Sequence, residues 1–139
     1  MRHVFFDLLL VAGRYTLLNQ QADTFFKDCR SKNIGIVAAG VFNSGILATG
    51  TAGGGAHYDY APASVEIMRR VKAIETLCDR FETPLPAAAL QFVARHPGVT
   101  TVLTGAGNAS EAAQSIDLLR RPIPVEFWVA LRSEGLIAA

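Results

Sequence analysis

Asn33-Ile34-Gly35-Ile36-Val37-Ala38-Ala39-Gly40-Val41-Phe42-Asn43-Ser44-Gly45 is a short apolar run that ends in glycines. Val99-Thr100-Thr101-Val102-Leu103-Thr104-Gly105-Ala106-Gly107-Asn108 repeats the pattern, and Phe5-Phe6-Asp7-Leu8-Leu9-Leu10-Val11-Ala12-Gly13 anticipates it near the start. Runs of this kind read as buried parallel strands whose carboxyl ends open into glycine-bearing loops, where α/β folds place ligands. Helical periodicity separates the runs and follows the last one. Three strand–helix units in a row predict an α/β chain with a repeating β/α architecture.

The bulk properties restrict the function classes. The chain has 139 residues, half of them apolar, enough for one domain with a substantial core. Thirteen basic and 12 acidic residues leave a net charge of +1 without a basic run, which excludes nucleic acid as the expected partner. Cys29 and Cys78 fall in separate predicted helices, with no CxxC and no histidine at ligand spacing, so neither a disulfide framework nor a metal site is expected. A reducing, cytoplasmic setting fits. Asp7 interrupts the apolar start and no small-residue cleavage pattern follows, so residues 5–11 are read as a strand rather than a leader. No stretch reaches the roughly 20 apolar residues that span a membrane.

Between the strands, Asn19 to Arg30 has helical spacing, with Leu17, Leu18, Ala22, Phe25, Phe26 and Cys29 recurring at three and four. Residues 48–62, with four glycines and Pro62, form a long loop and a candidate lid. A helix starts after Ser64, with Val65, Met68, Val71, Ile74, Leu77, Cys78 and Phe81 on one face. Thr83-Pro84-Leu85-Pro86 opens another, which His96-Pro97-Gly98 stops. Asn108-Ala109-Ser110-Glu111 has capping-box spacing and predicts a helix to about Arg120. Pro124 to Leu136, with the single tryptophan Trp128, is an amphipathic closing segment.

At this level of detail the chain resembles the aldo-keto reductases. The residues that carry the resemblance are Ala12-Gly13-Arg14-Tyr15-Thr16-Leu17-Leu18, Val41-Phe42-Asn43-Ser44-Gly45-Ile46-Leu47, His57-Tyr58-Asp59-Tyr60-Ala61-Pro62, Ala89-Leu90-Gln91-Phe92 with His96-Pro97, and Trp128 with Leu131, Gly135 and Leu136. They are most similar to the branch with L-fucose (D-threo-aldose) dehydrogenases and pyridoxal 4-dehydrogenase. The resemblance covers the whole chain, residues 1–139, but only the carboxyl-terminal part of the family's TIM (β/α)8 barrel, strands six to eight and the terminal helix. The family's catalytic aspartate, tyrosine, lysine and histidine lie on earlier strands, so no catalytic residue is assigned here.

The resemblance implies part of a nicotinamide site. Gly40, Phe42 and Ser44 match the loop beneath the pyrophosphate and nicotinamide, and Gly105, Ala106, Gly107 and Asn108 match the loop that holds the adenosine phosphate. Glu111, Gln114 and Ser115 match positions that touch the adenine. Glycines let backbone amides approach an anion, and the amino end of the helix after Asn108 adds partial positive charge. Ala39 stands where relatives carry an aromatic that stacks on the nicotinamide. Glu111 stands near where many place a cation for a 2′-phosphate, which favours NAD over NADP.

Other candidates have two readings. His57, Tyr58, Asp59 and Tyr60 are either proton-transfer groups or a polar loop whose tyrosines pack at a barrel mouth. Arg14, just past the first strand, either meets substrate or forms a structural ion pair. His3 and His96 read as a surface group and a helix-end group, and the cysteines as core. Three units leave open sheet edges, a route to association. Three functions follow. The chain is an inactive portion of an oxidoreductase acting on an aldose; or it rebuilds an active enzyme with itself or with a partner that supplies the missing strands; or it is a non-catalytic nucleotide- or protein-binding module.

Overall fold

The structure is a computed structural model that describes residues 6–52 and 56–138. In chain order the elements are β1 (Leu8–Ala12), α1 (Asp23–Ser31), β2 (Gly35–Ala39), α2 (Ile46–Thr49), β3 (His57–Tyr58), β4 (Ala61–Pro62), α3 (Val65–Arg80), α4 (Leu85–Ala94), β5 (Val99–Leu103), α5 (Ala109–Arg120) and α6 (Val125–Ser133). Strands β1, β2 and β5 form one parallel sheet in that order, and β3 and β4 form a separate antiparallel pair. The register pairs Ala12 with Ala39 and Ala39 with Leu103, so the three carboxyl ends are level. The expected partial barrel is present as this small sheet with its helices.

The two sheet faces differ sharply. Leu9, Val11, Ile36, Ala38, Val99 and Val102 point toward the helices and pack with Phe26, Cys29, Leu90 and Val93. On the opposite face Leu8, Leu10 and Leu103 remain 57%, 60% and 50% exposed, and Phe6 just ahead of β1 is 52% exposed. Among the described residues nothing covers this face. A second core lies among α2, α3, α4, α6 and the Leu17–Leu18 turn, and Phe42 and Phe92 pack against both cores.

Local chemistry explains the helices. Ser64 caps α3 by accepting the Ile67 N–H at 3.2 Å, and Val71, Ile74, Leu77 and Cys78 form its buried stripe. Pro86 sits in the first turn of α4, where its missing donor costs nothing, and Ala87, Ala88 and Ala89 are buried. α6 packs on α3 through Phe127, Trp128 and Leu131. Arg70 fastens the tail by donating to the Leu136 carbonyl at 2.6 Å. No helix among the described residues is long and apolar enough to cross a membrane.

Several expectations need correction. Among the described residues the first strand starts at Leu8, after Phe6 and Asp7, because pairing begins where the Asp7 carbonyl accepts the Gly35 N–H at 2.8 Å. α1 starts at Asp23 rather than Asn19. Leu17 and Leu18 are buried in a turn closed by a Thr16–Asn19 bridge, with the Thr16 hydroxyl accepting the Leu18 and Asn19 amides. The segment 48–62 is not a plain loop, since α2 ends inside it and the β3–β4 hairpin closes it. Val65 is exposed, because it opens α3 before the helix reaches the core. His3, Phe5, Gly53, Gly54 and Gly55 lie outside the described residues.

Candidate functional site

Level strand ends bring three turns together on one side of the sheet. Gly13 donates its N–H to the Ala39 carbonyl at 2.9 Å, which locks the turn after β1 onto the end of β2. Gly40 has φ +65°, and a Cβ there would stand 3.0 Å from the Gly13 nitrogen. Only glycine meets both demands without strain.

The β3–β4 hairpin reaches back over these turns by two contacts. The Tyr60 N–H donates to the Ser44 hydroxyl at 3.0 Å, and Arg14 Nη1 meets Asp59 Oδ2 at 3.2 Å. The ion pair is about half exposed, so it contributes under about 1 kcal/mol and acts as a reversible clasp. The hairpin and turns enclose a cavity of about 310 Å3 lined by Gly13, Arg14, Gly40, Asn43, Ser44 and Tyr60, among others. Asn43 is 6% exposed, and its Oδ1 has no donor among the described residues. An orphaned buried acceptor costs about 1–3 kcal/mol unless a ligand or water satisfies it. With an arginine, an acceptor and exposed backbone at a glycine turn, the cavity suits a polar ligand that carries both hydroxyls and negative charge.

The predicted site residues fall in two groups. Gly40 and Ser44 line this cavity, while Phe42 is half-buried between the two cores. Gly105, Ala106, Gly107, Asn108, Glu111 and Gln114 are exposed on the loop after β5 and the first turns of α5, with Ser115 half-buried behind them. The cap there is made by Asn108, and Glu111 reaches back past it. Glu111 N–H donates to Asn108 Oδ1 at 2.9 Å, Asn108 Nδ2 donates to Glu111 Oε1 at 3.1 Å, and Gly107 N–H donates to Glu111 Oε2 at 2.7 Å. The Glu111 carboxylate therefore lies on a backbone donor that a phosphate would use. Both glycine loops follow adjacent strands, so they lie at the same end of the sheet.

Of the two readings of residues 57–60, the packed-tyrosine one is half met: Tyr58 packs against the larger core and Tyr60 is almost fully exposed at the cavity rim. Arg14 forms the ion pair and also lines the cavity. His96 is a helix-end residue but buried, with Nε2 3.2 Å from Asp23 Oδ1. Burial holds its pKa below the usual histidine value against the pull of Asp23. Both cysteines are buried, and burial pushes the Cys78 thiol up to about 12. No group of three metal-ligating side chains occurs among the described residues. Asn43 was missed by sequence reasoning. Its only signal was a polar residue between Phe42 and Ser44 in a glycine-bounded turn.

The aldo/keto reductase family profile matches residues 1–134. The chain is 43% identical over 133 residues to pyridoxal 4-dehydrogenase of Microbacterium luteolum, a match that covers 95% of this chain and 39% of that protein. It is 37% identical over 138 residues to D-threo-aldose 1-dehydrogenase of a Pseudomonas species, covering 99% of this chain and 42% of that one. In fold it is similar to the holo form of an aldo-keto reductase from Bacillus halodurans, with a TM-score of 0.65 at 19% identity over 94% of this chain and 43% of the other. The chain thus spans about two fifths of the length of these relatives.

Proposed function

Because the chain belongs to the aldo/keto reductase family, we propose that its three β/α units are the carboxyl-terminal part of an oxidoreductase barrel, completed by strands from outside these 139 residues. The reaction is NAD(P)-dependent hydride transfer to or from an aldose such as L-fucose, or a related carbonyl or alcohol. The chain is inactive by itself, because no position in it matches the family's proton-transferring tetrad.

One observation carries this reading: the bare apolar face of the sheet. Leu8-Leu9-Leu10-Val11 is apolar at every position, the pattern of a strand covered on both faces. Helices cover Leu9 and Val11 while Leu8 and Leu10 stay open. Full burial of a leucine or phenylalanine is worth about 1.5–3 kcal/mol, so the four half-exposed side chains leave about 4 kcal/mol to be gained on covering. β1 and β5 are also edge strands with unpaired backbone groups. Strands from outside these 139 residues cover this face and pair with both edges.

The nicotinamide cofactor supplies the hydride when bound. This chain's residues bind and orient it. The Gly40 turn leaves room for backbone approach, Asn43 Oδ1 accepts from a hydroxyl or amide, and Arg14 leaves Asp59 to meet negative charge. The start of α5 serves the adenosine end, where the Glu111 carboxylate has to release the Gly107 amide before a phosphate can take it. A 2′-phosphate would have to displace or sit beside the Glu111 carboxylate, so the site takes NAD in preference to NADP. The test is nicotinamide absorbance with L-fucose and either cofactor, on the chain alone and with a polypeptide carrying the tetrad strands. Turnover only in the mixture is expected, with Glu111→Gln narrowing the NAD preference. Turnover by the chain alone refutes the reading.

A further inference from the structure

We propose that a second cavity, between the end of α4 and α6, is a binding site for a small organic carboxylate. It measures about 180 Å3 and shares no lining residue with the cavity at the strand ends. Its polar lining consists of Arg95, Arg132, Trp128, Tyr15 and His96. What singles it out is an excess of donors with nothing to accept from them among the described residues.

Arg95 lies with its guanidinium carbon 5.1 Å from the centre of the Trp128 ring, and neither Arg95 nor Arg132 pairs with a carboxylate among the described residues. Trp128 is 3% exposed and its buried Nε1–H has no acceptor there. A buried indole N–H ordinarily finds a partner. The Tyr15 phenol keeps its proton, since burial pushes its pKa up to about 12, so it stays a potential donor. His96 offers no acceptor. Its Nδ1 accepts the Gly98 N–H at 3.0 Å, which places the ring proton on Nε2, facing Asp23 Oδ1 at 3.2 Å. The charge of Asp23 is in turn engaged by Lys27 at 2.6 Å.

Two exposed guanidinium groups at one small space, beside the edge of a buried indole, recognise an oxyanion. The remaining wall, from Phe92, Pro97 and Ile137, is apolar and selects a ligand with a short hydrocarbon body over a bare inorganic ion. Arg95 on the indole face stays oriented by cation–π attraction, which lowers the cost of ordering it on binding.

Trp128 is the only tryptophan in the chain, so its fluorescence reports on this cavity alone. The experiment titrates the purified 139-residue chain with isobutyrate, with its neutral counterpart isobutyramide and with inorganic phosphate. A saturable change with isobutyrate is expected, none with isobutyramide, and a weaker one or none with phosphate. Arg132→Gln and Arg95→Gln should each weaken isobutyrate binding about tenfold, the loss of one charge-assisted contact. Both side chains are exposed, so neither variant should lose its fold, and circular dichroism checks this. Equal binding of isobutyramide, tighter binding of phosphate, no saturable change, or unaltered binding in both folded variants would overturn the proposal.

Discussion

Leu10→Ala distinguishes a covered sheet face from a bare one. Leu10 is 60% exposed in this chain, so about two fifths of its side chain is already packed. If the face stays open, truncation forfeits about two fifths of a leucine's burial energy, or under about 1 kcal/mol. If further strands cover the face, Leu10 becomes an interior residue and truncation leaves a cavity, at about 2–5 kcal/mol. For a domain of this size 1 kcal/mol shifts Tm by about 3 °C, so the two cases separate as a drop of at most about 4 °C against one of about 6 °C or more. Phe26→Ala is the control, since Phe26 is fully buried against the helix side and costs about 3–5 kcal/mol either way. The assay is thermal melting by circular dichroism on the protein in its native assembly, at several concentrations. A Leu10→Ala shift well beyond the open-face value is the expected result. A near-neutral Leu10→Ala beside a strongly destabilised Phe26→Ala would refute the argument that the face is covered.

Gly40→Ala should lose about 2 kcal/mol, from its left-handed backbone and the 3.0 Å approach to the Gly13 nitrogen, read as a lower denaturant midpoint at unchanged slope. Asn108→Ala removes the cap of α5 and should cost about 1 kcal/mol, with earlier amide exchange confined to that helix. At alkaline pH the buried phenol of Tyr15, raised from 10.0 to about 12, keeps its proton in the folded chain while the unfolded chain releases it. Stability from this group is therefore intact below pH 10 and falls as pH rises toward 12, and Tyr15→Phe should flatten that part of the profile. Neither buried cysteine should react with a thiol reagent before unfolding, and quantitative labelling of native protein would count against the packing described.

The main strands, α3 and α5 are legible because each carries its own signal: an apolar run ended by glycine, a Ser64 cap with helical spacing, capping-box spacing from Asn108 to Glu111. α1 was read too long because Leu17 and Leu18 are buried by the second core, and burial in a turn imitates helical periodicity. The hairpin left no readable period, since two-residue strands are shorter than any alternation. The clasp between Arg14 and Asp59 joins residues 45 apart and follows only from the fold. Gly40 and Ser44, singled out through the resemblance alone, line one cavity, while the orphaned Oδ1 of Asn43 and the contact between His96 and Asp23 follow only from the fold.

Sedimentation velocity of the purified 139-residue chain over a range of concentrations tests most directly whether its sheet is incomplete. The account predicts an associating species that gives way to a defined two-chain complex on adding a polypeptide that carries the missing strands, and to a single chain only on unfolding. A compact single-chain particle at every concentration, with one cooperative melt, would contradict it.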